Sequence, residues 1–130
     1  MTTDPIADFF VRIKNAQAVK SEKIDVPASR IKTELARCLK EQGFIQNYKL
    51  ISDRKQGILR IYMKYVSKKP VLMGFKRVSS PGHRTYSSWS EIPRPRGGLG
   101  VAIVSTSRGL KTDAECRYEN LGGEVLCIIW

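Results

Sequence analysis

The sequence predicts an α+β fold made of two small packed α/β subdomains. Three observations predict it: apolar residues at helical spacing in the first third of the chain, alternating apolar and polar residues in later segments, and a polar, proline-bearing stretch at 67–70. A chain of 130 residues buries about two thirds of its unfolded surface, which is enough for such a fold. We place an N-terminal α/β subdomain at 1–67 and a C-terminal subdomain at 68–130.

The N-terminal subdomain is predicted as helix, strand, helix and hairpin. Asp4 and Pro5 have the residue types of a helix N-cap and first turn, and apolar residues then recur every three or four positions. A turn-rich segment at 53–57 separates two alternating stretches, which predicts a hairpin. In order, the elements are a helix from Pro5, a strand at 24–26, a helix from Ser29 to Gly43, and strands at 44–51 and 58–66.

The C-terminal subdomain is predicted as mostly β with one short helix. Thr112 and Glu115 have the spacing of a capping box, which favours a helix that starts there and reaches about Asn120. A pair of glycines then ends the helix. The remaining elements are a strand at 71–78, a turn at 79–82, an extended piece near Tyr86, a loop at 92–98 and strands at 99–104 and 124–130.

Charge indicates a polyanionic partner. The chain has 23 basic and 12 acidic residues, a formal net charge of +11. Between residues 68 and 111 there are nine basic residues and one acidic residue, so this stretch is expected to meet the partner. We expect a nucleic acid as the partner. The alternative function for the chain is that of a basic protein that packages nucleic acid without specificity. No predicted helix is both strongly basic and strongly amphipathic, so the sequence does not favour a membrane surface as the partner.

The most distinctive motif is a hydroxyl run, Ser105, Thr106 and Ser107, followed by Arg108. It follows an apolar strand and precedes the predicted helix. Hydroxyls donate to or accept from phosphates, ribose and base edges, while cations attract the backbone. We interpret the run as an RNA-binding segment that uses loop amides and the helix start. An ordinary polar turn with local capping is the alternative.

Further candidates flank this run in sequence. Arg84 and Lys111 are expected to contact phosphates, and Tyr86 is a candidate for stacking on an unpaired base. Aromatic residues at strand spacing are more often core, so that alternative stays open. Glu124 is a candidate acceptor for a base amino group or a ribose hydroxyl, and an acid facing water at a strand start is its alternative.

The sequence does not predict an enzyme. A serine nucleophile needs an activating base, and the chain has one histidine, His83, in a Pro-Gly turn. The glycines at 97–100 lack the Gly-Lys-Ser/Thr sequence of a phosphate loop. A small hydrolase that uses His83 with Ser105 or Ser107 is the remaining catalytic alternative. We expect no cofactor, no metal and no small-molecule substrate.

The cysteines favour a reducing compartment. Cys38, Cys116 and Cys127 are odd in number, have no metal-ligand spacing and lie in apolar periodic contexts, where a thiol is a small core residue. The first residues show neither a cationic leader nor an apolar segment. We expect a cytoplasmic protein, or one of an organelle stroma if the chain is organelle-encoded.

Taken together, these segments resemble the small-subunit ribosomal protein eight family of the bacterial type. The most specific likeness is the Ser-Thr-Ser-basic-Gly run followed by Gly-Gly-Glu. Ser80 departs from the family, whose members often have lysine there, and Arg94 and Arg96 lie in a loop that is often less basic. The matching stretches are 4–8, 12–16, 39–45, 77–82, 98–100, 104–109, 112–113 and 121–127.

The resemblance implies a structural constituent of the small ribosomal subunit. Such a protein is a primary binder of an irregular helix in the central domain of small-subunit rRNA and nucleates platform assembly beside neighbouring ribosomal proteins. It also implies repression of translation through the protein's own operon mRNA. By position, the hydroxyl run, Tyr86 and the corner of Gly122, Gly123 and Glu124 face distorted base pairs. The second helix start, with Ser29, Arg30 and Lys32, contacts adjacent backbone.

Overall fold

The computed structural model describes residues 4–92, 94–95 and 100–130, and its α+β composition confirms the predicted fold class. The chain divides into a first unit that ends at Leu72 and a second unit from Met73 to Trp130. The boundary predicted from the sequence lies between residues 67 and 68. Residues 67–70 instead form part of a hairpin within the first unit.

The first unit packs two helices with a three-stranded antiparallel sheet of order β1-β3-β2. A short hairpin, β4–β5, follows the sheet. Its elements are α1 (Pro5–Ala18), β1 (Lys23–Pro27), α2 (Arg30–Glu41), β2 (Asn47–Ile51), β3 (Ile58–Tyr62), β4 (Tyr65–Val66) and β5 (Lys69–Pro70).

Both helices begin where the capping residues predict. The Asp4 carboxylate accepts the backbone N–H groups of Ile6 and Ala7 at 3.2 and 3.3 Å, and the Ser29 hydroxyl accepts that of Lys32 at 3.3 Å. These side chains satisfy backbone donors that a helix start leaves unpaired. Gly43, just beyond α2, has a φ of +82°, which is the conformation that ends helices.

The core of the first unit comes from the predicted apolar faces. Phe9 and Phe10 of α1 are fully buried and meet edge to face, with ring centroids 5.5 Å apart. In β3 the buried residues alternate, with Leu59 and Ile61 inside and Arg60 paired to Asp25 of β1 on the outer face. The alternation is typical of a sheet with one solvated face.

The predicted strand 58–66 is interrupted at residues 63 and 64. Regular pairing with β1 ends at Tyr62, and the Met63 backbone N–H donates to the carbonyl of Glu22, one residue before β1 begins. Tyr65–Val66 then pairs with Lys69–Pro70, and both Ser67 and Lys68 have positive φ, 52° and 66°. Tight hairpin turns favour positive φ, and these two residues adopt it without glycine, so the sequence did not reveal the turn.

The second unit is a five-stranded antiparallel sheet with one helix packed against β8 and β9. Its strand order is β6-β10-β8-β9, and β7 also pairs with β10. One core cluster contains Val104 from the sheet, Cys116 from the helix and Ile92. The elements are β6 (Phe75–Arg77), β7 (Tyr86–Ser87), β8 (Val101–Thr106), β9 (Gly109–Thr112), α3 (Asp113–Glu119) and β10 (Gly123–Ile129).

Three expectations for the second unit need correction. The strand expected at 71–78 is ordered as a strand only over 75–77, and strand β9 was not expected at all. The strand expected at 99–104 is observed from Val101 to Thr106, while Leu99 lies outside the described residues. The capping box of Thr112 and Glu115 is confirmed, with both reciprocal hydrogen bonds present.

The three cysteines are buried and unbonded to one another. Among the described residues, no group of histidine, cysteine and carboxylate side chains has the arrangement of a metal site. Within the same part of the chain, no helix has the length and apolar character needed to cross a membrane.

Candidate nucleic-acid interface

Three of the predicted site residues lie in one row across three neighbouring strands. Glu124 of β10 is paired with Ser105 of β8 on one side and with Tyr86 of β7 on the other. Directly paired residues of antiparallel strands share a face of the sheet. The sheet therefore brings together residues that lie as far apart in the sequence as Tyr86 and Glu124.

Glu124 is bonded within the protein. Its carboxylate accepts hydrogen bonds from the hydroxyl of Ser79 and from the Arg84 guanidinium, the latter at 3.1 Å, and its side chain is only 16 % exposed. Ser79 is itself fully buried, and its oxygen accepts the backbone N–H of Thr85 at 3.2 Å. Glu124 thus joins the 79–85 segment to the sheet.

Gly122 and Gly123 allow the strands to approach closely at this corner. A Cβ at Gly123 would overlap the carbonyl oxygen of Ser105, and one at Gly122 would lie 2.6 Å from the carbonyl oxygen of Ser87. Any larger residue would separate the backbones. The glycines therefore fix the distance between β10 and the strands that hold Ser105 and Tyr86.

The hydroxyl run forms the β8–β9 hairpin. Ser105 and Thr106 end β8, and Ser107 and Arg108 are its turn. The Thr106 hydroxyl donates to the carbonyl of Gly109 at 2.7 Å and accepts the Arg108 backbone N–H at 3.1 Å, so this residue has the local role that the alternative interpretation expected. The side-chain hydroxyls of Ser105 and Ser107 have no hydrogen-bond partner among the described residues.

The expected helix start is not next to these hydroxyls. Strand β9 separates the turn from α3, and the Thr112 hydroxyl already accepts the first free amide at Glu115. The interpretation that the helix start supplies donors beside the hydroxyl run is therefore wrong. The exposed hydroxyl of Ser107 and the half-buried one of Ser105 are the groups left for an external partner.

The cations near the turn are paired with acids. Glu119, at the end of α3, lies 3.4 Å from the Lys111 ammonium and 3.7 Å from the Arg108 guanidinium. Arg84 is paired with Glu124, as described above. Arg84, Arg108 and Lys111 thus each have a carboxylate beside them, although Arg108 and Arg84 remain at least half exposed.

Tyr86 is on the surface, with 70 % of its area exposed. Aromatic residues at strand spacing are more often buried in the core. Because Tyr86 is exposed, that alternative is wrong for this residue. An open groove of about 580 Å³ lies beside it and is lined by Lys76, His83 and Tyr86, with Val125 and Ile128 among its apolar residues. Basic groups with an exposed ring and an apolar floor match the chemistry of nucleotides.

The first unit has its own basic cluster at the start of α2. The Ser29 hydroxyl is used in the N-cap, whereas Arg30 is exposed and Lys32 is half-buried. The 53–57 turn lies against this helix start, because Gln56 donates to the carbonyl of Ala28 at 3.2 Å. Exposed Lys55 belongs to this turn and is a further candidate, which the sequence did not indicate because only tertiary contacts bring the turn to the segment before α2.

Part of the basic 92–98 loop lies outside the described residues. Arg96, one of the two basic residues in the 92–98 loop, falls in the part that the structure does not describe, as do Gly97 and Gly98. Arg94 is described and exposed.

The amino-acid sequence matches a known protein family over almost its whole length. The model of the family described as ribosomal protein S8 matches residues 4–130. The chain belongs to the ribosomal protein S8 family. This membership confirms the resemblance found in the sequence.

Relatives in this family align over nearly their whole length. The chain is 57 % identical over 129 residues to small ribosomal subunit protein uS8 of Moorella thermoacetica, which covers 98 % of this chain and 99 % of the relative. It is 55 % identical over 131 residues to the protein of the same name from Thermodesulfovibrio yellowstonii, with 100 % of both chains covered.

Proposed function

We propose that this chain is a structural constituent of the small ribosomal subunit that binds an irregular helix in the central domain of small-subunit rRNA. In this proposal it is a primary binder that nucleates assembly of the platform beside neighbouring ribosomal proteins. It acts in the ribosome of the cytoplasm, or of an organelle stroma if the chain is organelle-encoded. The name shared by the two relatives described above, small ribosomal subunit protein uS8, supports a place in the small subunit.

One observation supports RNA recognition above the others. Two hydroxyls have no protein partner among the described residues: that of Ser105, which lies in the same row as exposed Tyr86, and that of Ser107 in the turn that follows. Donor and acceptor groups beside a stacking surface suit unstacked bases and ribose. Buried Ser79 and Glu124 hold this corner in one arrangement before any ligand binds, which lowers the entropy cost of binding.

The mechanism divides affinity from selectivity. Basic residues such as Arg30, Lys55 and Arg108 contact phosphates, which makes binding strongly dependent on salt. The hydroxyls and Tyr86 contact bases and ribose. Because the major groove of regular A-form RNA is too narrow for side chains, these contacts require a distorted helix. Glu124 acts mainly by holding Ser79 and Arg84 rather than as a free acceptor.

Repression of the chain's own operon mRNA follows from the same recognition. A messenger that folds into a similar irregular helix would occupy the same hydroxyls and compete with rRNA. The two RNAs are therefore expected to exclude each other on the full-length protein.

Equilibrium binding tests the proposal. The central-domain helix of small-subunit rRNA, taken from Moorella thermoacetica, is compared with a regular duplex of equal length at two salt concentrations. We expect a preference for the irregular helix that persists at higher salt. Equal affinities that fall together with salt would contradict the proposal and favour the alternative, a non-specific packaging protein.

A further inference from the structure

Within the described part of the chain, Glu119 is the only acidic residue that forms ion pairs with two of the proposed RNA-binding cations. One carboxylate oxygen lies 3.4 Å from the Lys111 ammonium, and the other lies 3.7 Å from the Arg108 guanidinium. Arg108 belongs to the hairpin turn that presents the Ser107 hydroxyl, and Lys111 belongs to β9. The carboxylate thus connects α3 to the candidate RNA surface.

The position of Glu119 is not explained by the helix that contains it. It is the last residue of α3, where the helix dipole disfavours a negative charge. The N-terminal acids of the same helix have local roles, because Glu115 completes the capping box and Asp113 accepts the backbone N–H of Ala102. Glu119 has instead the two cations as its partners.

We propose that Glu119 is a specificity-determining residue that suppresses non-specific RNA binding at the 105–111 hairpin. This inference rests on the proposed function. A regular duplex binds through phosphates alone, and its phosphates must compete with a carboxylate already at the two cations. An irregular helix gains hydroxyl contacts that do not depend on charge, so it loses less affinity to this competition.

The number of freed cations sets the size of the expected gain in affinity for the regular duplex. Each extra phosphate neutralised on RNA steepens the slope of log affinity against log salt concentration by about 0.7 to 0.9. This slope corresponds to a roughly five- to eightfold gain in affinity at 0.1 M salt relative to 1 M salt. Removal of Glu119 frees up to two cations. The gain should appear for the regular duplex, and the preference for the irregular helix should fall.

Glu119→Gln in the full-length chain tests this directly, with Glu22→Gln as the control. Glu22 is exposed in the first unit and has no ion pair among the described residues. Its substitution therefore changes the net charge by the same amount as Glu119→Gln without freeing a cation. Affinity for the regular duplex is measured over a salt series for wild type and both variants. Thermal melting of each protein verifies that it is folded.

We expect Glu119→Gln to bind the duplex about fivefold more tightly with a steeper salt slope, while Glu22→Gln changes little. Adding Arg108→Gln to Glu119→Gln should reverse part of the gain. The proposal is overturned if Glu119→Gln leaves the duplex affinity and slope unchanged, or if both single variants gain equally. Failure of the proposed function is a different result, namely absence of any preference in the wild-type protein.

Discussion

Glu124 lies directly opposite Ser105 in the β10–β8 pair, and its carboxylate accepts a hydrogen bond from the hydroxyl of buried Ser79. A single acidic side chain therefore connects the strand with the candidate RNA-binding hydroxyl to the segment before Tyr86. This arrangement makes the interface a preorganised corner of the fold. Its consequences for stability and binding are testable.

Glu124→Ala should destabilise the protein. The substitution leaves the fully buried Ser79 hydroxyl without its acceptor, and a buried donor without a partner costs about 1–3 kcal/mol. Urea unfolding of the full-length chain measures the loss. Glu124→Gln, which retains an acceptor oxygen, should recover part of it, and equal stability of Glu124→Ala and wild type would show that the bond contributes nothing.

Gly123→Ala should disturb the interface through the backbone. The added Cβ overlaps the Ser105 carbonyl oxygen, so β10 and β8 must separate, at a cost of about 1–3 kcal/mol for overpacking. Gly82→Ala is a matched control, because a Cβ there meets nothing within 4 Å. Urea unfolding and binding to the irregular helix should both weaken for the first variant only. Identical behaviour of the two variants would refute this role of Gly123.

Lys55→Gln should weaken every RNA alike. Its side chain is exposed beside the start of α2, so we expect it to contact phosphate and not bases. The salt slope should become shallower by about 0.7 to 0.9 for both the irregular helix and the regular duplex. Lys20→Gln, also at an exposed position of the first unit, is the control. A loss restricted to one RNA would assign Lys55 to base recognition instead.

Cys116 should make stability depend on alkaline pH. Burial, reinforced by Glu115, Asp113 and Glu119, raises the pKa of this thiol from 9.0 to about 11. Because the folded state favours the protonated thiol, the contribution of Cys116 to the free energy of unfolding is complete below pH 9. This contribution is lost as the pH rises to about 11. Chemical unfolding of wild type and Cys116→Ala across this range measures the difference. The difference in free energy of unfolding should shrink as the pH rises, and a constant difference would contradict the shifted pKa.

Local patterns predicted the helices well. Asp4 and the pair Thr112 and Glu115 are capping signals that act within a few residues, so sequence alone located both helix starts. The hairpin turn at Ser67 and Lys68 was not predictable, because positive φ at residues other than glycine depends on the surrounding structure.

The candidate site was predictable by residue type and not by arrangement. The sequence singled out Tyr86, Ser105 and Glu124, yet their common row is set by pairing between distant strands. The same holds for the Ser79–Glu124 bond, which joins residues 45 positions apart, and for Lys55 near α2. Long-range contacts of this kind leave no periodic signal in a single sequence.

The most direct test of the central claim is the effect of Ser107→Ala on RNA selectivity. Ser107 is exposed in the turn without a protein partner among the described residues, so its loss should not alter the fold. Affinity of the full-length variant is measured for the irregular central-domain helix and for the regular duplex, with Ser52→Ala, another exposed serine, as the control. We expect about two- to tenfold weaker binding of the irregular helix, the equivalent of one hydrogen bond, and unchanged duplex binding. Equal loss on both RNAs, or no loss on either, would contradict the account.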